Sequence, residues 1–427
     1  MKNKACVYLP IELTRREYDA KVLLAAYLSQ QGCDVVIGEY SQLVEHAHQN
    51  PFPSVFFAKD CASSVDPKKN LASLRDRGWM VVVQDEEAGV VYRSYGDFYA
   101  KRIEKYISHF DRFYAWGDHD YKFLRTISNL SPSLIKKTGS PRTVFWGKYG
   151  EAWYEKEIQA LKPLQPYVLF ATNFGPYSNK KSESTVDKEL VEQFAELVSQ
   201  IANKSRYNII FRTHPAADDH FWKRRFSKNH NVFVQSDGNL TPNILSADAV
   251  IQNYCTSGLE AMICQVPVIN YGIRKDSDVR LSSGQKLSDP QEVLEAIELL
   301  EIQRLHQRSE YENVLERFYG SGTLKPVISI GEDIVNFYDR LSKCAPRWDS
   351  DVKKRNFFKT SIRYWMDYRR GKAYDKLFKK KKYEDFSRGS LGNDLRRADK
   401  ILGSPTGSRL TKQIGYRTFF VSGMGRG

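Results

Sequence analysis

The residues Val81-Val82-Val83-Gln84-Asp85-Glu86-Glu87-Ala88-Gly89 place three β-branched side chains directly before three consecutive acids, in a chain whose formal net charge is +14. A carboxylate carried to the tip of a buried strand can deprotonate a hydroxyl or attack an electrophilic carbon. Asp85, Glu86 and Glu87 are therefore the first candidates for catalysis. Alternation along an extended chain sends Asp85 and Glu87 to one side and Glu86 to the other. At most two of the three then face one site unless the backbone turns. A solvated acidic turn is the plain alternative.

Other polar residues also follow apolar runs. Ile209-Ile210-Phe211 leads into Arg212-Thr213-His214-Pro215. Arg212 offers a fork of donors suited to phosphate, and His214 can donate to a phosphate or to a leaving-group oxygen. Gln252-Asn253-Tyr254-Cys255-Thr256-Ser257-Gly258-Leu259-Glu260 reads as a strand, a turn and a helix start. Thr256, Ser257 and Gly258 suit a phosphate at free backbone N–H groups, and Glu260 suits ribose hydroxyls. An ordinary Ser/Thr cap with Glu as its partner is the competing explanation. Tyr167 to Thr172 runs into Asn173, so Thr172 and Asn173 reach the end of another strand. Glu12 follows the first strand, and Arg16 opens the next helix where it can meet an anionic substrate. Arg142 lies in Gly139-Ser140-Pro141-Arg142 after a further strand. For these last residues, capping or surface charge explains them as simply.

Short apolar runs separated by helical periodicity position all of these residues. ACVYLPI, CDVVIGEY, PSVFFAKD, GWMVVVQDE and RFYAWGD read as strands, and REYDAKVLLAAYLSQQG as a helix that stops at Gly32. The pattern restarts near residue 165 with YVLFATNF, YNIIFRTHP, NVFVQSD, DAVIQNY and PVINYG, and the long helix KELVEQFAELVSQIANKS lies among them. This alternation implies βαβ units and parallel sheets. The expected fold is α/β, with two tandem Rossmann-like domains and ligands held in an inter-domain cleft beyond the carboxyl ends of the strands. The expected boundaries are 1–160, 161–345 and a basic tail at 346–427, with Leu161–Pro166 as linker. Residues 351–383 hold thirteen Lys or Arg against three Asp, with Phe357, Phe358, Ile362, Trp365 and Met366 interleaved. Such a helix fits an anionic membrane surface, or packs its aromatics on the body. Beyond Ser387 the Gly-, Ser- and Arg-rich composition suggests poor order.

Composition narrows the functional classes. No uncharged apolar stretch approaches the roughly 20 residues needed to cross a bilayer, so a cytoplasmic protein, peripheral to a membrane, is expected. Six scattered cysteines without paired spacing suggest reduced core residues. No nucleic-acid module is visible. No GxxxxGK[ST], GxGxxG or His/Cys cluster appears. Asp276-Ser277-Asp278 and Asp349-Ser350-Asp351 are short enough to arise by chance, so no obligatory metal or other cofactor is expected.

Taken in order, Pro10-Ile11-Glu12, Arg16-Glu17-Tyr18-Asp19-Ala20-Lys21, Asp85 to Gly89, Gly139 to Arg142, Thr172 to Gly175, Arg212 to Pro215 and Thr256 to Ala261 resemble the bacterial surface carbohydrate biosynthesis protein family, a GT-B type of glycosyltransferase. The resemblance covers about residues 5–340. That family is similar to capsule and lipopolysaccharide transferases that use CMP-Kdo, in which an acidic pair precedes Gly and then Arg-Ser. Here Glu86-Glu87-Ala88-Gly89-Val90-Val91-Tyr92-Arg93-Ser94 corresponds, with the spacing changed by about a residue and Glu in place of Asp. It adds Arg93 to the candidates for holding sugar or acceptor.

The resemblance implies a nucleotide-sugar donor bound by the second domain and a lipid-linked or oligosaccharide acceptor. It also implies a basic segment at the inner face of the bacterial inner membrane. A nucleotide-sugar 2-epimerase, a polyol-phosphate transferase of the teichoic-acid kind and a non-catalytic peripheral scaffold are the competing classes.

Overall fold

The computed structural model describes residues 4–61, 71–86, 100–127, 130–172, 188–213, 219–253, 255–272, 284–346, 386–404, 411–415 and 417–424. The chain forms two compact units, one of residues 1–144 with 318–427 and the other of residues 145–317. Each is built on its own sheet.

The first sheet contains β1 (Val7–Ile11), β2 (Val35–Glu39), β3 (Val55–Ala58), β4 (Met80–Val83), β5 (Arg112–Ala115) and β6 (Ile135–Lys137). The order β2-β1-β3-β4-β5-β6 is parallel throughout. Apolar runs form these strands because both faces are covered. Val81, Val82 and Val83 are completely buried, each worth about 1.5–3 kcal/mol of transfer free energy. The helix Asp19–Gln30 ends where the periodicity places it, with Gly32 at φ 80° just beyond.

The second sheet contains β7 (Tyr167–Thr172), β8 (Asn208–Arg212), β9 (Val232–Gln235), β10 (Ala249–Asn253), β11 (Val268–Tyr271) and β12 (Gln285–Leu287). Its order is β12-β11-β10-β7-β8-β9, all parallel. Renumbered within the unit, this is the Rossmann order 3-2-1-4-5-6. The helix Lys188–Lys204 buries Leu190, Phe194, Leu197 and Ile201 against one face. The expected α/β class with two Rossmann-like units is thus found.

The two compact units divide the chain at other places than the expected boundaries. The break falls at 144/145 rather than 160/161, because the helices Lys148–Trp153 and Glu155–Leu161 pack on the helix Thr241–Ser246 of the second unit. Asn239 donates to the Tyr154 hydroxyl at 2.7 Å. After Arg317 the chain returns to the first unit. The helix Lys325–Leu341 brings Asp333 to accept from the Tyr114 hydroxyl at 3.0 Å and to pair with Arg112 at 3.1 Å and Lys136 at 3.4 Å.

The expected tail is not a separate region either. The helix Arg388–Ile401, β13 (Thr411–Gly415) and β14 (Thr418–Val421) belong to the first unit, and β14 pairs antiparallel with β2 from Thr418↔Gly38 to Val421↔Val35. The hairpin covers what would otherwise be the free edge of β2. Four consecutive residues, Thr418 to Val421, are buried there. Order beyond Ser387 comes from buried Leu391, Leu395 and Ala398 of the helix and from the apolar TFFV run, which the surrounding Gly and Arg obscure. The basic segment 351–383 lies outside the described residues.

No disulfide links the six cysteines, and Cys6, Cys33 and Cys61 are buried as expected, while Cys344 is exposed. Among the described residues no helix is long and apolar enough to cross a membrane.

Two predictions follow from this packing. Phe419 is 1% exposed and packs on Phe386 with ring centroids 5.0 Å apart. Phe419→Ala should cost about 3–5 kcal/mol, read by denaturant melts of the full chain; a loss under about 1 kcal/mol would show the hairpin to be dispensable. His46 packs at a tilt beside Tyr8 and shares a 2.9 Å hydrogen bond with its hydroxyl, and burial pushes the imidazole down to about 4. The unfolded chain takes up the proton first. His46 therefore adds stability fully above about pH 6.5, and that contribution disappears as pH falls through 4. The total is on the order of 3 kcal/mol. His46→Gln should flatten the fall in stability between pH 7 and pH 4.5.

Candidate functional site

In the first unit, the strand order reverses between β1 and β3, the position where doubly wound sheets bind ligands. Glu12 follows β1 and Lys59 follows β3, and the two form an ion pair. Lys59 also stands 3.8 Å from Asp60, whose carboxylate pairs with Arg102 at 3.0 Å. Arg102 in turn lies 3.9 Å from Asp85. The Asp85 backbone carbonyl accepts from the Trp116 indole at 2.7 Å.

Glu86 lies between two cations, Lys21 at 3.8 Å and Arg142 at 3.7 Å. Both are beyond hydrogen-bond reach. Among the described residues its carboxylate is thus held by charge while its lone pairs carry no hydrogen bond. Arg142 is fixed by its own 2.8 Å bond to the Glu86 backbone carbonyl. Gln84 donates to the Gly139 carbonyl at 2.8 Å, tying the tip of β4 to that of β6. Gly139 has φ 76°, and a Cβ there would stand 2.1 Å from the Tyr319 carbonyl oxygen, so the GSPR turn requires glycine.

Behind Glu86 the charges are fully enclosed. A wide turn at Thr14–Tyr18 leads into the first helix and carries Glu17, which has no exposure. Glu17 accepts from the Glu12 backbone N–H at 2.8 Å and pairs with Arg16 at 3.3 Å. Lys21, one turn later, is 4% exposed and sits 3.7 Å from the centre of the Phe57 ring. Burial pushes the Glu17 carboxyl up, helped by Glu86. Burial also pushes the Lys21 ammonium down, against the pull of Glu86 and Glu17. Both shifts favour the uncharged form, as desolvation requires.

In the second unit, the order reverses between β7 and β10, where Thr172 stands opposite Asn253. Ser257 begins the helix Ser257–Ile263. Thr172 is 4% exposed and Ser257 1%, and among the described residues neither hydroxyl has a hydrogen-bond partner. Capping does not explain the TSG sequence, because the Thr256 side chain makes no cap hydrogen bond. Thr256 itself is exposed, and Gly258 is buried.

Two expected ligands have partners within their own unit. Arg212 donates to the backbone carbonyls of Asp237 and Gly238, closing the turn after β9. Glu260 is 9% exposed and accepts from the Thr241 hydroxyl at 2.6 Å. Burial leaves both heads nearest to partners inside the unit. Glu87, Arg93, Asn173 and His214 lie outside the described residues.

The structure thus gathers Glu12, Arg16, Asp85, Glu86 and Arg142 in the first unit, and Thr172, Ser257 and Gly258 at one edge of the second. Sequence reasoning missed Glu17, Lys21, Lys59, Asp60 and Arg102. Glu17 and Lys21 carry a legible signal, being four residues apart on a helix start. Lys59 and Asp60 stand at a strand tip like the residues that were found. Arg102 carries no signal in the chain.

No protein-family model and no curated protein sequence matches the chain. Solved structures share its fold. The wall teichoic acid polymerase TagF superposes with a TM-score of 0.57 at 12% identity, over 81% of this chain and 91% of that one. A variant of that polymerase soaked with CDPG gives 0.53 at 12% identity, over 80% and 90%. The UDP-GlcNAc 2-epimerase of Methanocaldococcus jannaschii gives 0.51 at 16% identity, over 77% and 99%. The chain therefore has the two-unit α/β architecture of the GT-B class. At these identities the likeness extends to the fold, and the resemblance to Kdo transferases remains an expectation from the motifs.

The buried charges predict a specific stability pattern. Lys21→Met leaves Glu17 and Glu86 without their shared cation and should cost about 3–5 kcal/mol. Adding Glu17→Gln should recover part of that loss, since it removes a buried carboxylate left with Arg16 as its neighbouring cation. Denaturant melts of the two variants decide the matter: a double variant no more stable than Lys21→Met would mean that the two groups are not coupled.

Proposed function

We propose that the chain is a glycosyltransferase that moves a sugar from a nucleotide-activated donor onto a growing surface polysaccharide. The observation that carries this reading is the pair of buried hydroxyls of Thr172 and Ser257, which have no hydrogen-bond partner among the described residues, at the reversal point of the second sheet. An unsatisfied buried hydroxyl costs about 1–3 kcal/mol. A ligand rich in acceptor oxygens removes that cost, and the phosphate of a nucleotide is such a ligand. The second unit is accordingly assigned the nucleotide.

The first unit supplies the carboxylate. Of the three candidates, Glu86 fits best, since its lone pairs carry no hydrogen bond while Lys21 and Arg142 hold it in place. Glu86 accepts the proton of the acceptor hydroxyl, or attacks the anomeric carbon. Asp85 and Glu12 line the same edge, and Arg16 is a contact for an anionic sugar or acceptor. The donor we favour is CMP-Kdo or a related keto-deoxy sugar acid, on the strength of the motif resemblance. The acceptor is an O-antigen or capsule chain, reached from the inner face of the membrane through residues 351–383. No obligatory metal is part of the proposal.

A thermal-shift series with CMP, CDP, UDP and GDP tests the nucleotide assignment. A nucleotide at a hundred times its Kd stabilises the fold by about 2.7 kcal/mol. Ser257→Ala and Thr172→Val should each weaken the best binder about 10-fold, or about 1.4 kcal/mol. Glu86→Gln should abolish turnover and leave nucleotide binding unchanged. A chain that none of the four stabilises is not this enzyme. Release of CMP alone is insufficient, since transfer of a polyol phosphate from a CDP-polyol also releases CMP. A product that gains phosphate identifies that second chemistry, and isomerisation of a lone nucleotide sugar identifies an epimerase.

A further inference from the structure

Gln252 in β10 and Asn270 in β11 stand at matching positions near the carboxyl edge of the second sheet, and both have no exposure. A buried amide is costly unless its donors and acceptors are met. Here they are met end to end. The Gly284 carbonyl accepts from Asn270 Nδ2 at 2.9 Å. Asn270 Oδ1 accepts from Gln252 Nε2. Gln252 Oε1 accepts from the Cys255 backbone N–H at 2.7 Å.

The two ends of this chain are backbone groups, one only an acceptor and the other only a donor. They fix the direction of every bond between them, so neither amide can turn over without breaking two bonds. Backbone pairing already holds β10 to β11 over three residue pairs. The bond to Cys255 reaches beyond the sheet, to a residue two before Ser257. Thr256 makes no cap bond that would do the same work.

The geometry points to Gln252 and Asn270 as positioning residues that hold the backbone at Cys255 and so place the Ser257 hydroxyl for a nucleotide phosphate. This inference rests on the assignment of the nucleotide to the second unit. It adds two residues that touch no ligand themselves.

The test uses the full chain, the probes CMP, CDP, UDP and GDP, and hydrogen exchange at the Cys255 amide. Gln252→Leu should remove the protection of that amide and weaken the tightest-binding probe at least 10-fold. Asn270→Asp gives a second variant with a readout that simple loss of packing does not move. Its ionised carboxylate cannot donate to the Gly284 carbonyl. Its protonated form can donate there through O–H and accept from Gln252 through the other oxygen, which restores the chain of bonds.

The affinity of Asn270→Asp relative to the unaltered protein should therefore rise at least 3-fold between pH 8 and pH 5.5. Unchanged Cys255 exchange and unchanged affinity in Gln252→Leu would overturn the inference, as would an Asn270→Asp deficit equal at both pH values. If the unaltered chain binds none of the four probes, the nucleotide assignment fails. The relay then stands or falls on the Cys255 amide alone.

Discussion

Parallel pairing places the carboxyl ends of neighbouring strands along one edge of a sheet, and both units of this protein are organised by that constraint. The strand interiors are apolar because helices cover both faces. Polar side chains can reach water or a ligand only where the strands stop. Each sheet therefore gathers its chemistry at one edge, and the chemistry gathered differs. The first unit collects carboxylates and cations that neutralise one another. The second collects hydroxyls and amides, and two of its buried hydroxyls have no hydrogen-bond partner among the described residues.

This difference answers the question posed by an acidic cluster in a basic chain. Asp85 and Glu86 are neutralised within their own unit by Arg102, Lys21 and Arg142. A carboxylate removed from water needs a counter-charge close by, and Lys21 provides it from the first helix. Glu17 then balances Lys21. A single exposed acid would have needed none of this arrangement. The depth of the charges explains why a helix start, two strand tips and a distant turn must meet at one edge.

The fold by itself leaves the reaction open. A polymerase and an epimerase share it, as expected where function lies in a site grafted onto a common architecture. What distinguishes one chemistry from another is which groups at the sheet edges lack hydrogen-bond partners. In the first unit the Glu86 carboxylate has ion-pair partners, Lys21 and Arg142, but no hydrogen bond among the described residues. In the second the Thr172 and Ser257 hydroxyls likewise have none among those residues, and the buried amides of Gln252 and Asn270 order the backbone beside them.

Local pattern in the sequence determined most of the elements. Apolar runs of four to six residues became strands, helical periodicity became helices, and Gly32 and Gly139 marked turns that require positive φ. The strand tips were legible for the same reason, and so were Asp85, Glu86, Thr172 and Ser257. Tertiary structure decided what depends on contacts distant in sequence. Asp333 returns a late helix to the first sheet, and Phe419 and Phe420 return the C-terminal hairpin. Arg212 and Glu260 find partners inside their unit, while the Ser257 hydroxyl finds none among the described residues. Hydrophobic periodicity records which face of an element is buried, but not which distant segment buries it. The pairing of a buried charge or hydroxyl is a property of that distant segment, and only the folded chain supplies it.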